Sequence, residues 1–223
     1  MLRKMSFLLL YIYFGIGRGS MKKFIISKLI NAIKNNDSYS DEQLEVIAYG
    51  LESIYILITK LVIMTLMAIL FNIVKEFILF LLIYNFIRMP SFGLHATKSW
   101  ICLLSSTIIF IGAPVIAIVS TIPIYMKVII GIICTYLMYK NAPADTYKRP
   151  IINPKRRLVY KWISVSTCMI MIATSIICTN QFYSNAFLLA PVVQCFMISP
   201  TIYKLFKLPY NNYLNYQKSG ASI

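Results

Sequence analysis

The stretch WICLLSSTIIFIGAPVIAIVST, from Trp100 to Thr121, contains no charged residue. It matches the roughly 20 apolar residues that a helix needs to cross the hydrocarbon core of a bilayer. Apolar runs of the same kind lie on both sides of it, at Val46 to Val74, Phe77 to Ile87, Ile124 to Tyr139, Trp162 to Thr179 and Ala186 to Phe206. The expected fold is therefore an all-α polytopic membrane protein with about six transmembrane helices. The second run is short, so it has to borrow Val74 to Glu76 or cross with little tilt. Pro114, Pro123, Pro191 and Pro200 are expected to kink or bound their helices rather than forbid them, because neighbouring helices can re-satisfy the backbone groups that a proline frees.

The composition agrees. The 223 residues carry 22 Lys and Arg against 7 Asp and Glu, a net charge of +15, yet only 13% are charged and 59% are hydrophobic. Soluble domains run near a quarter charged, and a mean hydropathy of +0.72 leaves too little polar surface to cover a water-soluble particle. A soluble enzyme, a zinc-finger protein and a disordered basic tail are disfavoured. The positive excess reads as the positive-inside bias of a membrane protein rather than as a nucleic-acid footprint, so no nucleic-acid partner is expected. The five cysteines fall singly, at 102, 134, 168, 178 and 195, which excludes a CxxC metal site and a disulfide framework.

Ahead of the spans, residues 1 to 20 contain Arg3, Lys4 and a short apolar run from Phe7 to Ile16, followed by Gly17, Arg18, Gly19 and Ser20. They form either a signal-like extension without a convincing cleavage site or a mis-assigned start, with translation beginning at Met21. Residues 21 to 39 are expected to form an amphipathic interfacial helix. Phe24, Ile25, Leu29, Ile30 and Ile33 share one face, with Lys23, Ser27, Asn31 and Lys34 opposite, as suits a helix on an anionic leaflet or one packed on the protein's own membrane domain. Ser40 with Gln43 has the pattern of a capping box, and Asp41, Glu42 and Glu45 suit the positive end of the helix that follows. Residues 40 to 206 then form the membrane domain and 207 to 223 a cytoplasmic tail. Glu52 and Lys60 fall inside the first span, where charges are costly and usually face a protein interior.

Parity tests the topology. The segment from Lys140 to Lys161 holds seven Lys and Arg against Asp145 alone and belongs in the cytoplasm. Four crossings separate it from the basic N-terminal helix, an even number. After two crossings the segment from Arg88 to Ser99 is cytoplasmic too, as is the tail after six.

That segment continues to the only histidine: Arg88-Met-Pro-Ser-Phe-Gly-Leu-His95-Ala-Thr-Lys-Ser-Trp-Ile-Cys102. Pro90 and Gly93 are helix breakers, so it reads as a loop leading into a helix. A cysteine is a good nucleophile only as a thiolate, and an imidazolium, a helix N-terminus and nearby cations all favour that form. His95, a helix start near Thr97 or Ser99, and Lys98 with Arg88 supply all three. In one unbroken helix His95 and Cys102 would sit about 10 Å apart along the axis, beyond hydrogen-bond reach. The pair works only if the loop folds the imidazole back over the thiol, or if the two meet across a dimer. Ser99 as N-cap would hold Cys102 near the positive end of the helix. Without such geometry, His95 is an interface histidine and Cys102 only packs.

Gly93-Leu94-His95-Ala96 followed by Cys102, with Ile87-Arg88 upstream, resembles the His and Cys motif of the accessory gene regulator B (AgrB) family of membrane endopeptidases. The later run Ala142-Pro143-Ala144-Asp145-Thr146-Tyr147-Lys148-Arg149-Pro150-Ile151 is similar to that family's Pro-Ala-Asp-Thr loop. The resemblance covers the chain from Met21 to about Phe206 and leaves out residues 1 to 20. Phe92 departs from the pattern, standing where the family often has a second small residue.

The resemblance implies a cysteine endopeptidase of the bacterial cell membrane, multi-pass, with its active site at the cytoplasmic side. Its partner would be an AgrD-type precursor of a quorum-sensing signal peptide. Cys102 would attack the scissile carbonyl and His95 would act as general base and then acid, and the resulting thioester would be released by cyclisation to a thiolactone or lactone. No cofactor and no metal are implied. Asp145 and Ser99 would be orienting or oxyanion-site support, while Arg88, Lys98, Lys148, Arg149, Arg156 and Arg157 would bind the precursor tail, lipid phosphates, or both. A homodimer fits the family as well. The competing class is a small transporter or structural membrane protein without covalent catalysis, for which Glu52 and Lys60 are the markers.

Overall fold

The computed structural model describes residues 20–36, 39–94, 99–146 and 150–214. Every regular element among them is a helix: α1 (Ser20–Asn36), α2 (Asp41–Leu70), α3 (Val74–Ser91), α4 (Ser99–Val119), α5 (Ile124–Asn141), α6 (Pro154–Ile177), α7 (Gln181–Met197) and α8 (Pro200–Leu205). By length and composition α2, α6 and the Ile101–Val119 part of α4 can cross a membrane. Leu57, Val119 and Ile132 are 66%, 71% and 66% exposed, and such apolar surface is compatible with lipid rather than water around the helices. The protein is an all-α membrane protein.

The chain divides into two compact units, residues 1–67 and 68–223. In the first, α1 and α2 form an antiparallel pair. Lys22 bonds Glu52 at 3.0 Å and the more exposed Lys34 approaches Asp41 at 3.9 Å. Glu52 is thereby accounted for by a cation of the preceding helix. Ile26 is buried while Phe24, Ile25 and Leu29 of α1 are exposed, so a strip centred on Lys22 and Ile26 faces protein and the neighbouring apolar strip does not. The capping box at the start of α2 is present: the Gln43 side chain accepts from Ser40 N (3.0 Å) and Ser40 Oγ accepts from Gln43 N (3.3 Å).

The second unit is built around α7, which packs against α3, α4, α5 and α6. Its buried face carries Ser184, Ala186, Ala190 and Cys195, small side chains that let neighbouring backbones approach closely. Phe77, Phe80, Ile87, Met138 and Leu188 fill the core between the helices. Pro114 and Pro191 lie inside α4 and α7, whereas Pro123 and Pro200 bound α5 and α8. The second apolar run does borrow Val74 to Glu76, giving α3 its 18 residues.

Three boundaries differ from those read in the sequence. The helix expected to break at Pro90 continues to Ser91, because a proline this near the C-terminus sacrifices few helical bonds, and Phe92 N still reaches Arg88 O at 3.0 Å. The run ending at Phe206 is split at Ile198 and Ser199, where Ser199 Oγ caps α8 and Pro200 opens it. And α6 starts at Pro154, capped by Asn153, whose side chain accepts from Lys155 N and Arg156 N. The basic triplet 155–157 therefore lies in a helical first turn rather than in a connecting loop.

A buried lysine sits at the end of this unit where α5 begins. Lys127 is 8% exposed, and its Nζ donates to Ser184 Oγ at 2.5 Å while that hydroxyl donates to Ser175 O. Beside it Asn185 and Gln181 donate to the last carbonyls of α4 and to Ser120. Removing only the acceptor leaves a buried cation short of a partner, so Ser184→Ala should destabilise the protein by about 1–3 kcal/mol. Lys127→Met with Ser184→Ala should recover most of that, since removing both partners is far cheaper than removing one. Thermal melts in detergent check this; a double variant no more stable than Ser184→Ala would show that the pair does not act as a unit.

Candidate active site

Two consecutive residues with positive φ end α3: Phe92 at 56° and Gly93 at 110°. They swing the chain sharply off the helix axis, and long-range bonds fix the turn on three sides. Gly93 N donates to Ala144 O (2.9 Å) and Ala144 N donates to Ser91 O (3.1 Å), a short parallel bridge between Phe92 and Ala144. Leu94 N donates to Met197 O at 3.0 Å, and Gln194 Nε2 donates to Phe92 O at 2.8 Å, tying the turn to the end of α7. Arg88 Nη2 donates to Leu94 O at 2.8 Å from within the helix itself. The segment that leads into His95 is therefore held by α3, α7 and the 142–146 loop together.

Any side chain at Gly93 would be strained. A Cβ would fall 3.0 Å from Met197 O, 3.0 Å from Arg88 Nη1 and 3.2 Å from Ile198 Cγ2, at a φ that L side chains rarely adopt. Phe92 tolerates its own positive φ with its ring packed edge-on against Tyr160, centroids 5.1 Å apart.

The 142–146 loop opens with a cis Ala142–Pro143 peptide and is anchored by Asp145, which is 1% exposed. Its carboxylate accepts from two successive backbone amides of the C-terminal segment, Asn212 N at 3.0 Å and Tyr213 N at 2.9 Å, and its carbonyl accepts from the Tyr203 hydroxyl at 3.1 Å. The Arg157 guanidinium lies 3.6 Å from the centroid of the Tyr213 ring and completes the clamp. Burial pushes the nearby Tyr210 phenol above its ordinary range, with Arg157 partly opposing it. Asp145→Asn would turn one acceptor into a donor facing those amides. We expect it to loosen residues 209–213 by about 1–3 kcal/mol, visible as faster amide exchange there and easier proteolysis of the tail; exchange as slow as wild type would deny Asp145 this role.

Cys102 is the fourth residue of α4 and half-buried, near the end of the helix that favours negative charge, and its carbonyl accepts from Ser105 Oγ at 3.2 Å. Cys134, Cys168 and Cys195 are buried in the helical core, as their positions in apolar runs suggest, whereas Cys178, expected to be buried with them, falls at the end of α6 and is only partly buried. Of the residues singled out in the sequence, Arg88, Asp145 and Arg157 come together around the two loops. Ser99 is the first residue of α4, and Arg156 is exposed in the first turn of α6. His95, Lys98, Lys148 and Arg149 lie outside the described residues, as do residues 1–19. Arg88 Nη1 and Arg157 Nη1 are buried and find no hydrogen-bond acceptor among the described residues.

Sequence reasoning missed Gln194, Tyr203 and Asn212, which hold the loops. Their bonds connect residues 58 to 102 positions apart, and no local pattern encodes them. It also passed over Lys127, although the rule that drew attention to Glu52 and Lys60, an ionisable group within an apolar span, applies to it equally.

Comparison with known proteins places these elements in context. The family model described as Accessory gene regulator B matches residues 26–198. An AgrB-like protein of Clostridium acetobutylicum is 29% identical over 202 residues, covering 89% of this chain and 97% of that protein. One of Listeria innocua is 29% identical over 195 residues, 85% of this chain and 94% of its own length. AgrB-like protein 2 of Clostridium perfringens is 24% identical over 193 residues, 83% and 90% respectively. No solved structure matches the chain.

Proposed function

We infer from the premise that this chain belongs to the accessory gene regulator B family that it is a membrane cysteine endopeptidase, cutting an AgrD-type precursor peptide near its C-terminal end and promoting cyclisation of the released part. The observation that carries this reading is the stitched turn at Phe92–Leu94. Three separate parts of the second unit converge to hold the segment that leads into His95, while Cys102 stands a few residues further on at the start of α4.

The chemistry follows from the thiol and the imidazole. His95 takes the proton of the Cys102 thiol, and the thiolate adds to the scissile carbonyl. As the tetrahedral centre collapses, the C–N bond breaks and His95 returns the proton to the departing amine, leaving an acyl thioester on Cys102. An internal thiol or hydroxyl of the precursor, its proton taken by His95, then adds to the thioester carbonyl. Collapse expels the Cys102 thiolate and closes a thiolactone or lactone. A site at the membrane edge, poor in water, slows the competing hydrolysis. In this scheme Asp145 holds the 142–146 loop and Arg88 holds Leu94 O, while the more exposed cations such as Arg156 serve a carboxylate of the precursor.

The six helices α2 to α7 would form six crossings, with the basic segments around residues 88–99 and 140–161 on the cytoplasmic side, where a newly made precursor is found. Of the two charges that mark the transporter reading, Glu52 and Lys60, Glu52 is paired locally with Lys22. The test is release of the C-terminal tail from a precursor encoded beside this gene and co-expressed with it, read by mass spectrometry. Wild type should release the tail, and Cys102→Ser, at equal membrane abundance, should not. Undiminished release by Cys102→Ser would return the transporter or structural reading to the front.

A further inference from the structure

A furrow of about 610 Å³ runs between α5 and α6. Its walls are two helical stripes. Val128, Ile132 and Tyr136 line it from α5, and Val165, Met169 and Ala173 from α6. At its floor the helices come as close as Gly131 permits, a Cβ there falling 2.6 Å from Ile172 Cγ2. Of the polar side chains that line it, Thr135 spends its hydroxyl on its own helix, donating to Gly131 O at 2.8 Å, and Tyr136 and Tyr139 bring the others. A lining of this kind asks for an apolar occupant.

One end is different. Each stripe, carried one turn further, ends in a lysine: Tyr136 leads to Lys140, and Val165 leads back to Lys161. Because α5 and α6 are antiparallel neighbours, both lysines fall at the same end. Lys161 Nζ stands 4.0 Å over the Tyr139 ring, whose other neighbour is Trp162 at 6.2 Å between centroids, and Tyr139 and Trp162 are both about half exposed. Aromatic rings and lysines at the end of an apolar furrow are what the boundary between acyl chains and headgroups selects. Between Ile124 and Ile177 the chain contains one acid, Asp145, which is buried and occupied, so no carboxylate of α5, α6 or their connection competes for the two lysines, and neither lysine forms an ion pair among the described residues.

We propose that the α5–α6 furrow is a binding site for one anionic phospholipid, with an acyl chain along Gly131 and Ala173 and the headgroup phosphate on Lys140 and Lys161 beside Tyr139 and Trp162. The charge at one end commits the furrow to an anionic lipid rather than to a second copy of the chain, which is itself strongly basic, or to a purely apolar segment, which would leave the lysines unused; binding of the precursor here is an outcome that the test below distinguishes.

The full chain would be reconstituted in bilayer discs of mixed phosphatidylglycerol and phosphatidylcholine and the retained lipid identified by native mass spectrometry after detergent release. Wild type should keep one phosphatidylglycerol in preference to phosphatidylcholine. Lys140→Gln and Lys161→Gln should each reduce that preference about fivefold, and Ala173→Trp, at an exposed position, should reduce retention of both lipids by filling the furrow. Circular dichroism confirms folding of each variant, and the surface lysine variants alone decide the matter if the tryptophan variant does not fold. Equal retention of the two lipids by wild type, or a preference unchanged in the double lysine variant, overturns the proposal. So does loss of a second copy or of co-expressed precursor, rather than of lipid, in Ala173→Trp.

Discussion

Replacing Cys102 by alanine should abolish tail release from the co-expressed precursor, and replacing His95 by alanine should lower it by about 10²–10⁴-fold, the usual worth of a positioned general acid–base. Neither change should alter the amount of chain in the membrane. Cys102 is half-buried in the first turn of α4, whereas Cys134, Cys168 and Cys195 are the cysteines buried in the helical core. The informative variant is the double one. If thiol and imidazole act as a unit, removing both costs little more than removing Cys102 alone, because the base has nothing to activate once the nucleophile is gone. Rates measured from tail peptide accumulated per unit of membrane protein give the comparison. Multiplicative losses would mean that His95 and Cys102 serve separate steps, and the dyad would have to be abandoned.

Gly93→Val should be the most damaging substitution outside the dyad. It places a β-branched side chain at a φ of 110° and drives its Cβ onto Met197 O, a backbone atom that cannot swing aside as the Arg88 guanidinium can. Strain of this kind costs about 1–3 kcal/mol, and the least expensive relief is to break the bonds from Gly93 to Ala144 and from Leu94 to Met197. The competent arrangement would then be depopulated roughly five- to 150-fold, at a factor of ten per 1.4 kcal/mol, with tail release falling in proportion. Gly112→Ala is the control: a Cβ there meets nothing within 4 Å, and processing should be unchanged. Hydrogen exchange at Gly93 and Leu94 separates the explanations, since those two amides should lose protection in Gly93→Val while the helical core keeps it. Full protection with lost activity would place the damage elsewhere.

Much of the architecture was legible because membranes impose long-wavelength patterns. Uninterrupted apolar runs, the basic segment between residues 140 and 161, and the Ser40–Gln43 cap are all local signals, and each corresponds to a helix, a connection or a cap in the structure. Ends of runs were less legible. Hydropathy does not distinguish Met197 from Phe206, whereas the Ser199 and Pro200 start signal does, and Asn153 with Pro154 similarly begins α6 well before its apolar part. Gly93 was visible as a helix breaker, but its positive φ and its contact with Met197 depend on α7, about a hundred residues later. Asp145 shows the same limit most clearly. Its place in a Pro-Ala-Asp-Thr loop drew attention to it, yet what its carboxylate holds, the amides of Asn212 and Tyr213, lies beyond the residues that the family model matches.

The most direct test of the central claim is to look for the covalent intermediate. Wild-type chain mixed in membranes with a precursor whose internal Cys or Ser is replaced by Ala cannot complete ring closure, so the acyl group should accumulate on the enzyme. Digestion and mass spectrometry should then find the precursor's N-terminal part joined as a hydroxylamine-sensitive thioester to the peptide containing Cys102, and no such adduct with His95→Ala. Release of the tail without any adduct on Cys102, or an adduct on another cysteine, would contradict the mechanism.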